Sequence, residues 1–287
     1  MFFLKILIFL GGYVLSQLLG PECALAWGPG VHTVTALSLL NDVSLILPAI
    51  ARVITLYPRE YLYGCLSADF FIGKGKRKRA GHPHSWKGGL MFLSEASDDR
   101  ETAYAYGFLS HLVADVAAHN FFVPNLINSY PTGRKMGHLY WEIKADYLIG
   151  PGYVKIAKDV LSMDHTDCDD LLNLIAGKRR KGLKAKKRLF TQTVKVSDYF
   201  YATHDALFVG RPGHRQKFSE YLAFMVDLSC RLVKDFLTNP GSSPCLSYDP
   251  LGGQNPNLFA RMRMLRRPFN SRPSLGQLAV DRELLKL

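Results

Sequence analysis

The chain has few cysteines, and their spacing excludes the usual thiolate zinc sites. Five cysteines occur among 287 residues. The four that follow the N-terminal region, Cys65, Cys168, Cys230 and Cys245, match neither the paired spacing of a zinc knuckle nor a redox motif. They allow disulfides or buried free thiols, and the sequence does not choose between the two.

Strand-like alternation is weak and no internal repeat occurs, so both repeat architectures and β-sandwiches are disfavoured. Apolar residues instead recur at helical spacing. The segments with this pattern are 31–42, 43–57, 90–97, 101–122, 138–149, 153–163, 170–177, 196–208 and 215–237. The sequence therefore predicts an all-α, multi-helix domain over residues 27–238.

Two segments lack the helical pattern. The lysine-rich stretch 178–188 is expected to link two helices. Proline, glycine, serine and asparagine are concentrated in residues 239–257, which predicts irregular structure. We expect residues 239–287 to form a basic, loosely attached tail.

The N-terminal apolar run is short for a membrane span. Two glycines and a glutamine interrupt it, whereas a spanning helix needs about 20 apolar residues. Lys5 precedes it, and Ala24–Ala26 forms a small-x-small cleavage pattern. We interpret residues 1–26 as a signal peptide cleaved before Trp27, so that the mature protein is exported, either periplasmic or secreted. A membrane anchor is the alternative interpretation.

Acidic residues are outnumbered, and the formal net charge is +12. The excess lies mainly in residues 74–79, in 178–188 and in four arginines between 261 and 267. These clusters fit either solvated loops or peripheral contact with an anionic membrane or nucleic acid. The first two clusters contain no aromatic residue, which disfavours stacking on single-stranded nucleic acid. Nothing indicates an obligate protein partner.

Three metal-ligand residue types occur four residues apart in one apolar segment: His111, Asp115 and His119. A four-residue step moves a side chain only about 40° around an α-helix, so all three are predicted on one face of a straight helix. Burying them unpaired would cost on the order of several kcal/mol. A metal ion removes this cost because coordinate bonds replace the lost hydration.

A second segment carries His138 and Glu142 at the same spacing. Further candidate ligands are His32, Asp69, His82 and His84, and the remaining histidines, interpreted as structural, are His165, His204 and His214. One zinc ion cannot use so many ligands, but two or three can share them through a bridging carboxylate. Mixed histidine and carboxylate ligands favour zinc over manganese or iron in an exported protein.

Together these motifs resemble the zinc-dependent phospholipase C family, which is related to the single-strand-specific zinc nucleases. The order is an N-terminal Trp after a processing site, then His, Asp, His, a His-xxx-Asp pair, His and a His-xxx-Glu pair. The resemblance covers residues 27–146 and implies an all-helical fold around three zinc ions.

The resemblance also implies a ligand set for each zinc. The first would be held by Asp69, either His82 or His84, His111 and Asp115. Asp115 would bridge to the second, which His32 and the backbone amine and carbonyl of Trp27 would complete. The third would be held by His119, His138 and Glu142. A free amine at Trp27 requires cleavage before that residue.

The resemblance implies phosphodiester hydrolysis, and Asp69 is the best candidate to orient or deprotonate the attacking water. Its role as a ligand competes with that role. A phospholipid head-group ester is the leading substrate. Single-stranded nucleic acid is the alternative, favoured by the short spacing from Trp27 to His32, and a non-catalytic metal-binding envelope protein is a third hypothesis. The sequence departs from the family in the short step between Asp115 and His119, and residues beyond about 150 add no match.

Overall fold

The computed structural model describes residues 27–71, 82–129, 141–177, 182–203, 212–252, 280–281 and 283–287. Over these ranges the chain forms α-helices, short 3-10 helices and a π-helical turn, and no strand. The prediction of an all-α fold is confirmed. No helix within these ranges is both long and apolar enough to span a membrane.

The α-helices are named in chain order. They are α1 (Pro29–Asn41), α2 (Pro48–Leu56), α3 (Pro58–Ser67), α4 (Trp86–Glu95), α5 (Asp99–Ala117), α6 (Val123–Ser129), α7 (residues 141–149), α8 (Pro151–Leu161), α9 (Thr166–Ala176), α10 (Leu183–Thr203) and α11 (Pro212–Thr238). A 3-10 helix, Ala68–Phe71, follows α3, and a π-helical turn, Ala118–Phe122, continues α5.

Helix α5 lies at the centre of the molecule. From Ala103 to Ala117 every residue except Tyr106 is buried, because α1, α2, α3, α4, α9 and α11 all pack against it. A helix buried on all sides is normally apolar around its whole circumference. The histidine and aspartate side chains of α5 are exceptions, because they also lie in the core. The Asp98 carboxylate caps the first turn by accepting the Glu101 N–H at 2.8 Å.

Helices α3 and α5 cross at two glycines. A Cβ atom at Gly64 would lie 2.2 Å from the Tyr104 carbonyl oxygen, and one at Gly107 would lie 2.0 Å from the Tyr61 carbonyl oxygen. No larger residue fits at either position, and the two backbones are therefore in contact. Helix α3 was not predicted from the sequence.

Two predicted boundaries were wrong. Residues 43–47 do not belong to a helix, because α2 begins at Pro48, and proline is suited to a first helical position where no backbone N–H is needed. Helix α10 begins at Leu183, inside the lysine-rich segment that was predicted as a linker. Lys184 and Lys186 are exposed, so their charges remain solvated on the helix surface.

The described parts of the tail pack against the helical body. Cys245 and Leu284 are fully buried, and the Trp86 indole N–H donates to the Tyr248 carbonyl oxygen at 2.7 Å. The expected loose attachment is therefore wrong for these parts. The domain boundary at residue 238 stays a prediction. The signal peptide, the basic cluster 74–79 and the arginines between 261 and 267 lie outside the described residues.

Candidate metal centre

The close crossing of α3 and α5 orients His111. Its Nδ1 lies 2.7 Å from the carbonyl oxygen of Cys65, one residue after Gly64. A hydrogen bond from Nδ1–H to that carbonyl leaves Nε2 as the nitrogen with a free lone pair. This Nε2 lies 3.2 Å from Oδ2 of Asp115, one turn further along α5.

Asp115 lies at the middle of the cluster and is fully buried. Its Oδ1 is 3.4 Å from Nε2 of His32 on α1. Its Oδ2 is 3.2 Å from Nε2 of His84 and 3.8 Å from Nε2 of His119. The two oxygens thus face different histidines, which is the arrangement required of a carboxylate that bridges two metal ions.

Of the two histidines in the sequence GHPHSW, His84 lies in the cluster. It is fully buried, and its Nε2 is 3.0 Å from Nε2 of His111. His82 is half-buried, and its Nδ1 accepts the backbone N–H of His84 at 3.1 Å. The structure therefore favours His84 at the position for which the sequence left both open.

Asp69 and His32 approach the cluster from two other elements. Asp69 lies in the 3-10 helix after α3, with Oδ1 3.5 Å from Nε2 of His111. The ring of His32 stacks on that of His111 with centroids 3.8 Å apart. Two sets of ligand atoms lie within 4.8 Å of one another: His32, Asp69 and His111, and His84, His111 and Asp115.

Burial and mutual charge displace the pKa values of this cluster. Burial raises the pKa of Asp69 to about 8, although the charge of His111 opposes this. Burial would also raise the pKa of Asp115, but the charge of His111 and the closeness of the His32 and His84 imidazoles hold it well below its usual range. Burial lowers the pKa of His84. These shifts favour an anionic Asp115 beside a neutral His84, which are the protonation states in which both side chains can bind a cation.

His119 does not continue the straight helix that was predicted. α5 ends at Ala117, and His119 lies in the π-helical turn Ala118–Phe122. Hydrogen bonds in such a turn run from i to i+5, so the step from Asp115 to His119 differs from an α-helical one. The prediction of one straight helix was wrong. A four-residue step from Asp115 to His119 fits an α-helix as well as a π-helical turn, so the spacing could not distinguish them.

The remaining predicted ligands are partly described. Trp27 is fully buried; its indole N–H donates to the Ala114 carbonyl oxygen at 3.1 Å, and its ring lies 4.3 Å from that of Phe122. Glu142 is buried on α7. His138 lies outside the described residues.

The sequence pattern assigned no role to Asp146. The structure buries Asp146 and directs its two oxygens at the first turn of α1. The signal that could have found it is the sequence GPG at residues 28–30, which begins α1 without a side-chain cap.

A family model for zinc-dependent phospholipase C matches residues 31–210, which is more than half of the chain. The chain belongs to the zinc-dependent phospholipase C family. The match starts just before His32 and extends well beyond residue 146, where the resemblance read from the sequence ended. Comparisons with curated proteins and with solved structures gave no match.

For a zinc-dependent phospholipase C, the buried polar atoms of the cluster have a direct chemical explanation. His32 Nε2, Asp69 Oδ2 and both oxygens of Asp115 are buried without a hydrogen bond from any described residue. Such atoms are rare in folded proteins because each loses its hydration. Neutral imidazoles and carboxylates are the ligands that zinc accepts, so the donor set fits zinc ions.

Proposed function

We propose that this chain is an exported, zinc-dependent phospholipase C that hydrolyses the head-group phosphodiester of a phospholipid. The observation that carries the proposal is the Asp115 carboxylate, which is buried among three imidazoles from α1, α5 and the segment before α4. An uncompensated carboxylate in this position would be costly, and metal ions compensate it.

Three zinc ions account for the candidate ligands. Asp69, His84, His111 and Asp115 would hold the first. Asp115, His32 and the backbone amine and carbonyl of Trp27 would hold the second. His119, His138 and Glu142 would hold the third. The short distances from Asp115 to His84, His111 and His32, between 3.2 and 3.4 Å, support its role as the bridge between the first two.

The zinc ions would lower the pKa of a water molecule and neutralise charge on the phosphate. The protein residues hold and orient the reacting groups. Asp69 can serve in two roles because its oxygens are in different environments: Oδ1 faces His111 at 3.5 Å, and Oδ2 has no hydrogen bond from a described residue. We infer that Oδ1 is the ligand oxygen and that Oδ2 orients the attacking water and accepts its proton.

Cleavage before Trp27 belongs to the same proposal. A backbone amine can bind a metal only as a free N-terminus, and the predicted cleavage site leaves Trp27 at that position. The buried Trp27 indole, held by the Ala114 carbonyl next to Asp115, would fix the new N-terminus beside the cluster. Export and activity are therefore linked, because the second zinc site would be complete only in the processed chain.

The family and the charge of the chain support a phospholipid as the substrate. Lys184, Lys186 and Arg188 are exposed on the first turns of α10, and the net charge of the chain is +12. Such a surface favours peripheral contact with anionic lipid, which would bring the protein to its substrate.

Metal analysis of the purified mature protein tests the proposal. Three zinc ions per chain are expected at neutral pH without chelator. Fewer than two would contradict the trinuclear site. Asp115→Asn should cause the largest loss of both zinc and activity, since Asp115 would hold two metals. Asp227 is an exposed carboxylate on α11, so Asp227→Asn is the control and should lose neither zinc nor activity.

A substrate comparison tests the rest. The zinc-loaded protein should release diacylglycerol from phosphatidylcholine vesicles and leave single-stranded DNA intact. The opposite preference would favour the nuclease hypothesis. Full zinc loading with neither activity would favour the non-catalytic metal-binding protein.

A further inference from the structure

Asp146 joins α7 to the beginning of α1. Its side chain is almost completely buried. Oδ2 accepts the backbone N–H of Gly30 at 3.1 Å, and Oδ1 accepts that of Val31 at 3.0 Å. Helix α1 has no side-chain cap of its own, and its first residue, Pro29, has no N–H. The carboxylate therefore satisfies two of the free N–H groups at this helix end and faces the positive end of the helix dipole.

The contact is too close to accommodate an ordinary side chain at the start of α1. A Cβ atom at Gly28 would lie 2.3 Å from Oδ2 of Asp146, and one at Gly30 would lie 3.0 Å from Oδ1. The carboxylate thus occupies the space that side chains at these positions would take. Glycine at both positions therefore leaves room for the buried acid at the start of α1.

The segment held in this way is flanked by two proposed zinc ligands. Trp27 directly precedes this segment and His32 directly follows it. The His32 backbone N–H donates to the Gly28 carbonyl oxygen at 3.2 Å, which is a hydrogen bond of the first helical turn. Nε2 of His32 lies 3.4 Å from Oδ1 of Asp115. A shift of the first turn of α1 would move both ligands away from the bridging carboxylate.

Asp146 also lies on the same helix as Glu142, one turn further on. Glu142 is a proposed ligand of the third zinc. Helix α7 therefore carries two carboxylates with different roles. Glu142 would bind the third zinc, whereas Asp146 binds the backbone of α1, which carries ligands of the second zinc.

We propose that Asp146 is a positioning residue for the zinc site formed by Trp27, His32 and Asp115. It holds the first turn of α1 in register with Asp115 without contacting metal itself. The inference rests on the proposed function, because it assigns Asp146 to one of the three proposed zinc sites.

Zinc content and zinc release from Asp146→Asn and Asp146→Ala test this assignment. The asparagine variant retains one acceptor oxygen but directs an amide N–H group at the second backbone donor, whereas alanine supplies no acceptor. We expect one of the three zinc ions to be released to a chelator about tenfold faster or more, with a larger effect for alanine, as for residues that orient metal ligands elsewhere. The other two ions should keep the wild-type release rate.

Two reference variants identify the affected site. His32→Ala removes a direct ligand of that zinc, so adding Asp146→Asn to it should cause little further loss. Asp198→Asn breaks the ion pair with Lys158 between α10 and α8, and it reports the effect of losing a structural carboxylate that is not a proposed zinc ligand. It should leave zinc release unchanged.

Amide hydrogen exchange in the metal-free protein provides a readout that is independent of zinc. The N–H groups of Gly30 and Val31 should exchange faster in both Asp146 variants than in the wild type. Unchanged exchange would show that the hydrogen bonds to Asp146 do not hold α1, and would overturn the inference.

The outcomes separate this inference from the proposed function. Wild-type protein with fewer than two zinc ions contradicts the trinuclear site and, with it, the role given to Asp146. Three zinc ions in the wild type and an unchanged release rate in both variants would overturn the inference alone. Equal loss of all three ions, together with a fall in unfolding temperature, would mean a general structural role and would also overturn it.

Discussion

The hydroxyl of Ser85 stabilises the turn that gives His82 and His84, just before α4, different environments. Ser85 caps α4 by accepting the Gly88 N–H at 3.1 Å, and it donates to the His82 carbonyl oxygen at 2.6 Å. The resulting turn places His84 in the buried cluster and leaves the ring of His82 beside the backbone N–H of His84. Two residues of the same type, two positions apart, thus receive different roles.

Substitution of these histidines should therefore have unequal effects. His84→Ala removes a proposed zinc ligand and should lower activity by at least about a hundredfold, in line with losing a direct metal ligand rather than an outer partner. His82→Ala should retain zinc and most activity. Zinc stoichiometry and turnover of phosphatidylcholine are measured for both variants. Equal losses in the two variants would contradict the assignment of His84 as the ligand.

His165 gives a pH dependence away from the metals. Its ring stacks on Tyr63 at 3.7 Å, and its Nε2 lies 2.8 Å from the Val160 carbonyl oxygen. Burial lowers the pKa of His165 below the ordinary histidine value of 6.5. The unfolded chain therefore binds the proton more readily than the folded one, so this residue contributes stability above about pH 6.5 that is lost as the pH falls.

His165→Phe should reduce this pH dependence. The variant keeps an aromatic ring beside Tyr63 but cannot bind a proton, so its stability relative to the wild type should improve between pH 7.5 and pH 5. Urea unfolding of both metal-free proteins at several pH values measures the difference. A constant difference across this range would mean that His165 takes up no proton there.

Among the structural elements, the π-helical turn depends on the C-terminal segment. Within this turn, the Asn120 side-chain N–H group donates to the Asp249 carbonyl oxygen at 3.0 Å. Gly252 has a φ of +69°, and a Cβ there would lie 2.7 Å from the His119 carbonyl oxygen. Residues 249–252 lie beyond the family match, yet they support the turn that carries His119.

Gly252→Ala should therefore disturb the third zinc site. The variant combines a left-handed backbone conformation, which costs alanine about 1–2 kcal/mol, with a collision at His119. Gly177→Ala is the matched control, because Gly177 also has a positive φ but no atom within 4 Å of the added Cβ. Both should lower the unfolding temperature, and only Gly252→Ala should speed the release of one zinc ion. Equal zinc release from the two variants would contradict this support.

The sequence could indicate the ligand candidates because metal chemistry needs particular residue types, and His111 and Asp115 stand out in an apolar helix. It could not choose between His82 and His84, since that choice depends on the turn made by Ser85. It could not reveal the π turn either, because the spacing of Asp115 and His119 also fits an α-helix. The packing of Cys245 depends on contacts between distant segments, which local periodicity does not report.

Across the whole molecule, the four cysteines of the described chain are free and distributed through the core and its edge. Cys65, Cys168 and Cys245 are buried, and Cys230 is partly buried. Burial raises the pKa of Cys168 and of Cys245 to about 12. The helical fold is thus held by apolar packing around α5, and the described residues form no disulfide.

The native protein should accordingly be insensitive to reductant and slow to react with thiol reagents. A rise in thiol pKa from 9.0 to about 12 lowers the thiolate fraction about a thousandfold. Dithiothreitol should leave the unfolding temperature unchanged. Among the four described thiols, Ellman's reagent at pH 8 should react first with Cys230, which is the least buried of them. Urea-unfolded protein is the control, in which all thiols should react rapidly. A fall in unfolding temperature on reduction would reveal a disulfide.

The three tryptophans of the chain all lie next to proposed ligands, and this makes the protein its own optical reporter. Trp27 would itself bind the second zinc, Trp86 lies two residues after His84, and Trp141 directly precedes Glu142. Indole emission responds to nearby charge and is quenched by cobalt. Variants that retain a single tryptophan, combined with cobalt exchange, would therefore show the order in which the three metal positions fill, without any added dye.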